Sequence, residues 1–244
     1  MARILAFIYG LFAYIVGFIS LIYAFGFLIN YAVPKSIDSG VPGELIPSLV
    51  INILLLSLFA IQHSVMARPA FKRWWTQYIP EQIERSTYVL LSGLVLCLLY
   101  WQWCPLPSDI WHVTNQFGVI LLYGLYGLGW IILFISTFMI SHTDLFGLRQ
   151  VYLHLKKVEY STLDFKIRGL YRLVRHPIMT GIIIAFWATP HMTLGHLLFA
   201  AVSTAYILVA LQFEEKDLID TFGETYISYR KQATMLIPLK FKKD

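Results

Sequence analysis

The sequence predicts an all-α polytopic membrane protein, with four transmembrane helices followed by a C-terminal transmembrane helical hairpin, five or six spans in all. Three observations predict it. Hydrophobic residues make up 58% of the chain and charged residues only 14%, with a mean hydropathy of +0.65, values foreign to a soluble domain of this size. Charge-free stretches cover 4–34, 45–67, 86–108 and 112–143, each longer than the roughly 20 residues that a helix needs to cross a bilayer. Lysine and arginine gather on alternate loops.

The first stretch is too long for a cleavable signal and lacks a small-residue cleavage site, so it reads as a retained anchor. Between the second and third, Phe71, Trp74, Trp75 and Tyr78 recur at helical spacing opposite Lys72 and Arg73, which predicts a short helix in the membrane interface. Cys97 and Cys104 have the spacing of neither a zinc knuckle nor a redox pair and are read as packing residues. The fifth apolar stretch, 178–213, is long for one span and short for two. Pro190 removes a backbone donor and disfavours helix at Thr189, so a bend is expected there. A full hairpin, a re-entrant hairpin and one kinked span all remain open. No repeat or linker interrupts the chain, which reads as a single membrane domain over 1–244.

Charge sets the orientation. With a cytoplasmic N-terminus, the inner segments hold Arg3; then Arg68, Lys72, Arg73 and Arg85; then Arg149, Lys156, Lys157, Lys166, Arg168, Arg172 and Arg175. The tail adds Lys216, Arg230, Lys231, Lys240, Lys242 and Lys243, leaving only Lys35 outside. The segments on both sides of 178–213 are basic, so the chain enters and leaves on one face. The pI near 9.1 then points to anionic lipid headgroups and not to nucleic acid.

Polar groups are costly in a bilayer, so clusters at span ends mark candidate sites. Four stand out: "IQHSVMAR" at 61–68, "IERSTY" at 83–88, "SHTDLFGLRQ" at 141–150, and "YRLVRHPIMTG" at 171–181 with its acidic counterpart "FEEKDL" at 213–218. All fall on the cytoplasmic side. Asp38, Glu44, Asp109 and His112 of the outer loops are scattered, and no metal-ligand spacing is evident.

Pro177 suits the first turn of a helix, so "RHP" places a positive helix end at the cytoplasmic rim, where an anion is favoured. Gly181, one turn on, leaves room for a ligand to approach the backbone. A returning helix delivers Glu214 and Glu215 to the same rim at its negative end, where a cation is favoured. S-adenosylmethionine, with carboxylate, ammonium and sulfonium, matches both poles. The alternative is an ion pair between Arg175 and one of the glutamates that ties the hairpin.

At these residues the chain resembles the membrane methyltransferases that include isoprenylcysteine carboxyl methyltransferase and phospholipid N-methyltransferases. The resemblance rests on "RHPIMTG", the apolar hairpin and "EEKDLIDTFGETYISYRKQATMLIP". It implies an adenosylmethionine site of Arg175, His176, Pro177, Gly181, Glu214, Glu215, Tyr229 and Arg230, within a C-terminal part of about 141–235. Met179 stands where the family pattern has a tyrosine. With "QHSVMARPAFKRWW", "ERSTYVLL" and "DLFGLRQVYL", the whole chain is similar to bacterial methanethiol S-methyltransferases, which make dimethyl sulfide; nitrite and nitric-oxide-associated membrane proteins share part of the pattern. The resemblance implies a bacterial inner-membrane enzyme with a small thiol substrate and a cytoplasm-facing active site.

Methyl transfer to a thiol needs a base, an oriented acceptor and exclusion of water. His63 and His142 are the candidate bases, Asp144 a candidate orienting carboxylate, and Arg149 or Arg68 a candidate partner for a thiolate. Lipid or prenylcysteine methylation, a nicotinamide-dependent reductase with a similar Arg-His-Pro end, and a non-catalytic role in nitrogen-oxide metabolism are the competing readings.

Overall fold

The computed structural model describes residues 1–238, so Lys240, Lys242 and Lys243 of the basic tail lie outside the described residues. Among the described residues, five helices are long and apolar enough to cross a membrane: α1 (Ala2–Ile29), α2 (Leu45–Ala67), α4 (Glu81–Gln102), α5 (Gln116–Ile140) and α9 (Leu194–Phe222). Between them lie α3 (Pro69–Trp75), the strand β1 (Asp109–His112), α6 (His142–Leu145), α7 (Leu148–Lys156), α8 (Pro177–Trp187) and β2 (His191–Thr193), and α10 (Glu224–Gln232) follows. The all-α membrane architecture is as the sequence predicts. Backbone contacts divide the chain into two compact units.

The first unit comprises Met1–Ser108, Ser141–Thr162 and Thr193–His196. Here α1 packs against α4 and α7, and α2 against α4. Small residues allow the closest approach: a Cβ at Gly93 of α4 would lie 3.0 Å from Gly17 Cα of α1. The opposite side of α1 leaves Ile8, Phe12, Ile15 and Ile19 exposed, an apolar stripe suited to lipid. Asn52, fully buried in α2, gives and takes hydrogen bonds with the Cys104 backbone at 2.8 and 2.9 Å. A polar group in an apolar setting is thereby satisfied. Both cysteines are free thiols. The short helix α3 carries the expected aromatic cluster, with Phe71, Trp74 and Tyr78 in successive ring contact.

The second unit comprises Asp109–Ile140, Leu163–Met192 and Leu197–Asp244, of which the part to residue 238 is described. The stretch 178–213 is a helix–turn–helix with unequal arms. The α8 arm has 11 residues, so it spans only about 16 Å, roughly half the hydrocarbon thickness. The turn follows at Ala188, and Thr189 Oγ1 donates to His191 O at 2.9 Å. The other arm, α9, has 29 residues and continues well past Phe213. It therefore reaches beyond the bilayer core and carries the glutamate pair inside a helix. Expected to sit at the negative end of the helix, Glu214 and Glu215 lie two turns before it. Their neighbours, not a helix dipole, must set their properties.

Gly181 serves packing. A Cβ there would stand 2.5 Å from Gly129 O and 2.8 Å from Leu133 N of α5, so the side expected to admit a ligand is filled by a neighbouring helix.

Candidate functional site

The C-terminal segment builds the first constellation. Val174 forms a parallel bridge with Thr234, Arg175 N donates to Thr234 O at 2.8 Å and His176 N donates to Met235 O at 3.1 Å. Thr180 Oγ1 adds a bond to Leu236 O at 2.8 Å. Pro177 occupies the first turn of α8, as the sequence predicts, with His176 as its N-cap. Behind this corner Tyr226, Tyr229 and Ala233 of the tail form a buried cluster backed by Phe165, Leu218 and Phe222. Tyr229 donates its hydroxyl to Tyr171 O at 2.5 Å, which anchors the stretch leading into Arg175. Burial pushes the Tyr229 phenol up to about 12, so it stays a donor at neutral pH.

Glu215 is the hub. Its Oε1 receives Arg175 Nε and Nη2, each at 2.6 Å, with His176 Nε2 at 3.2 Å and the Tyr226 hydroxyl at 3.5 Å. Its Oε2 receives Arg230 Nε at 3.2 Å. The Arg175 and Glu215 side chains are each only 9% exposed, and Arg175 Nη1 also donates to Ala233 O. A carboxylate so surrounded is held charged by two guanidinium groups and is committed to its partners. Glu214 is different: its side chain is 45% exposed and its Oε2 lies 3.8 Å from His176 Nδ1. Arg230, 44% exposed, is the corresponding open cation. An open carboxylate and an open guanidinium thus flank one buried ion pair.

The second constellation belongs to the first unit and centres on Asp144. Ser141 caps α6 by accepting from Asp144 N. The Asp144 carboxylate receives Arg149 Nη1 at 3.0 Å, the Tyr160 hydroxyl at 3.3 Å and Gln150 Nε2 at 3.4 Å. Arg149 also donates to Ser161 O at 2.8 Å and lies over the Tyr160 ring. Burial, reinforced by Asp144, pushes the Tyr160 phenol up.

These groups border a cavity of about 580 Å³ whose walls include Lys72, Glu84, Arg85, Asp144, Gln150 and Tyr160. Glu84 is nine-tenths buried, and both its Oε1 and Gln150 Oε1 lack a hydrogen-bond partner among the described residues. Two unpaired acceptors beside Lys72 and Arg85 make a polar chamber of cofactor size, far larger than a two-heavy-atom thiol requires. Burial, together with Arg85, pulls the Lys72 ammonium below its usual range.

The two histidines differ in surroundings. His142 is buried; its Nε2 lies 3.1 Å from the Tyr14 hydroxyl, and its ring packs against Tyr14, Phe18 and Phe146. Burial lowers its pKa and keeps the imidazole neutral. His63 is half-buried, with Nε2 2.8 Å from the Tyr88 hydroxyl, Nδ1 3.2 Å from Ser92 Oγ, and its ring stacked on Phe59. Depth in an apolar setting therefore does not distinguish His63, since Tyr88 and Ser92 satisfy it.

All four expected catalytic residues lie in the first unit and all eight expected cofactor residues in the second. Asp144 and Arg149 are brought together, as are Arg175, His176, Glu214, Glu215 and Arg230. Glu84, Gln150, Tyr160 and Tyr226 were not singled out. The first two sit inside polar clusters that the sequence does flag, and no local signal separates them from their neighbours. Tyr226 reaches Glu215 only through the fold. The outer-loop residues are also less scattered than they read: Asp38 Oδ1 accepts from Thr193, and Asp109 Oδ1 lies 2.6 Å from His191 Nε2.

Residues 51–215 match the family model described as NnrU protein. Methanethiol S-methyltransferase 2 of Bradyrhizobium diazoefficiens is 55% identical over 240 residues, covering 98% of this chain and 92% of that protein. Methanethiol S-methyltransferase of Mycobacterium tuberculosis is 51% identical over 238 residues, covering 98% of each. Nurim of Mus musculus is 29% identical over 183 residues, covering 72% of this chain and 70% of that protein. No solved structure matches the chain.

Proposed function

We propose that this chain, which belongs to the NnrU protein family, is an integral membrane methyltransferase that uses S-adenosylmethionine to convert methanethiol to dimethyl sulfide. The observation that carries this reading is that relatives named methanethiol S-methyltransferase match the chain nearly end to end at about half identity.

A zwitterionic amino-acid moiety needs an accessible carboxylate and an accessible cation a short distance apart, and Glu214 and Arg230 supply them around the buried Arg175–Glu215 pair. Glu214 with His176 would hold the ammonium, and Arg230 would hold the carboxylate. Arg175, Glu215, Tyr226 and Tyr229 hold that corner in place. Pro177 and Gly181 fix the helix that carries it, Pro177 through its first turn and Gly181 by packing on α5. When bound, S-adenosylmethionine supplies a sulfonium-activated methyl group, which the acceptor sulfur takes with loss of its thiol proton.

His63 is the base in this account. It is more open than His142, and Tyr88 and Ser92 orient its ring. His142, enclosed by aromatic rings, is the alternative base and Asp144 with Arg149 the alternative acceptor-positioning pair. The apolar helices keep bulk water from the acceptor, which preserves thiolate nucleophilicity. Loop charge supports an active site that faces the cytoplasm from a bacterial inner membrane.

Membranes from cells expressing the chain, given methanethiol and S-adenosylmethionine, should release dimethyl sulfide into the headspace. Methylation of membrane lipid or prenylcysteine in place of methanethiol would assign the same fold to a different acceptor.

A further inference from the structure

Three side chains from two distant parts of the sequence converge at the β1–β2 ladder. Asp109 and His112 come from β1, and His191 opens β2, between α8 and α9. One ligand atom from each lies within 4.8 Å of the others. His191 Nε2 is 2.6 Å from Asp109 Oδ1, and the His112 and His191 rings meet at a tilt of 34° with centroids 4.8 Å apart.

We propose that Asp109, His112 and His191 form a zinc-binding site. Two imidazoles and one carboxylate are an established zinc donor set in which the fourth position is left to water. A bare His–Asp hydrogen bond accounts for two of the residues; it leaves the placement of His112 against His191 unexplained. The supports are also fixed in advance. Val113 N donates to Pro190 O at 2.8 Å, Trp111 Nε1 donates to Thr189 O at 3.1 Å, and Thr189 Oγ1 donates to His191 O. The backbone that carries the ligands is thus already cross-linked, so zinc requires a small opening of the Asp109–His191 pair and an inward adjustment of the His112 side chain, whose ligand atom lies within 4.8 Å of the other two, to reach bond lengths of about 2.0–2.2 Å. Side-chain exposures of 60% for Asp109 and 40% for His191 leave space for the water ligand and a path for the ion. Bound zinc staples the segment after α4 to the tip of the α8–α9 turn and stabilises the fold by an amount that grows with the logarithm of free zinc above its dissociation constant. The proposal is independent of the methyltransfer reading.

The test uses the full chain in detergent, carrying no polyhistidine tag and stripped with chelator. Calorimetric titration with zinc chloride should give one ion per chain, with a rise in melting temperature on loading that magnesium does not reproduce. His191→Ala, His112→Ala and Asp109→Asn should each weaken zinc binding at least tenfold, while His154→Gln leaves it unchanged. Cobalt substitution should give the visible absorption of a low-symmetry nitrogen and oxygen site. Circular dichroism of the metal-free variants separates lost ligands from lost fold. Sub-stoichiometric binding by the parent chain, or equal affinity in parent and His112→Ala, would overturn the proposal.

Discussion

Arg175 Nη2 stands 2.6 Å from Glu215 Oε1, and both side chains are nine-tenths buried. This pair is a structural clamp as well as a charge pair, because Arg175 also binds Ala233 O and Glu215 also binds His176 and Arg230. Neighbouring glutamates therefore divide their work, Glu215 holding the corner and Glu214 facing outward.

Glu215→Gln should be the destabilising substitution of the two. Removing one partner of a buried ion pair costs on the order of 3–5 kcal/mol, because the other charge stays buried. Glu214→Gln should leave the melting temperature nearly unchanged and weaken S-adenosylmethionine binding roughly ten- to a hundredfold, the loss of one charge-assisted hydrogen bond. Thermal unfolding and calorimetry on both variants check the division. A destabilised Glu214→Gln with intact affinity would reverse it.

Gly181→Leu should separate packing from binding. With Gly129 O filling the space beyond its Cα, a larger side chain forces α5 and α8 apart at a cost of about 1–3 kcal/mol or more. The folded fraction should bind S-adenosylmethionine with parent affinity. Full stability with lost binding would restore Gly181 as a ligand contact.

His63→Gln should leave S-adenosylmethionine binding intact and lower turnover roughly 10²–10⁴-fold, with the defect shrinking as pH rises and more thiol ionises unaided. Parent turnover by His63→Gln from pH 6 to 9 would remove it as the base.

His142 should act on stability. Burial lowers its pKa in the folded chain, so the unfolded chain binds the proton more readily. The contribution of His142 is therefore fully present above the unfolded histidine value of about 6.5 and is lost as pH falls from there through the folded pKa. Melting temperature should drop between pH 7.5 and 5, and His142→Asn should flatten that slope. An unchanged slope would show that other groups control it.

Much of this was legible in the sequence. Hydropathy alone located the long helices, and Pro177 marked the start of α8 because its missing N–H suits a first turn. The polar clusters at span ends located both constellations, since polarity in such places needs a reason. What was not legible depends on tertiary contact. How far α9 runs past its apolar stretch is hidden because the charged residues after Phe213 continue the helix for two more turns, until Gly223 with its positive φ of 54° closes it. That Glu215, not Glu214, turns inward follows from Arg175 and Arg230 reaching it across the fold. The meeting of Asp109 with His191 bridges 82 residues of sequence, and the purpose of Gly181 is visible only once Gly129 lies against it.

Methyl transfer to methanethiol is tested most directly by a labelling experiment on the purified protein in lipid vesicles, given methanethiol and S-adenosylmethionine carrying a trideuteromethyl group. Dimethyl sulfide should enter the headspace with one deuterated methyl per molecule, formed in step with S-adenosylhomocysteine and lost with Glu214→Gln at limiting donor. S-adenosylmethionine left unconsumed, with no labelled dimethyl sulfide from protein that remains folded, would contradict it.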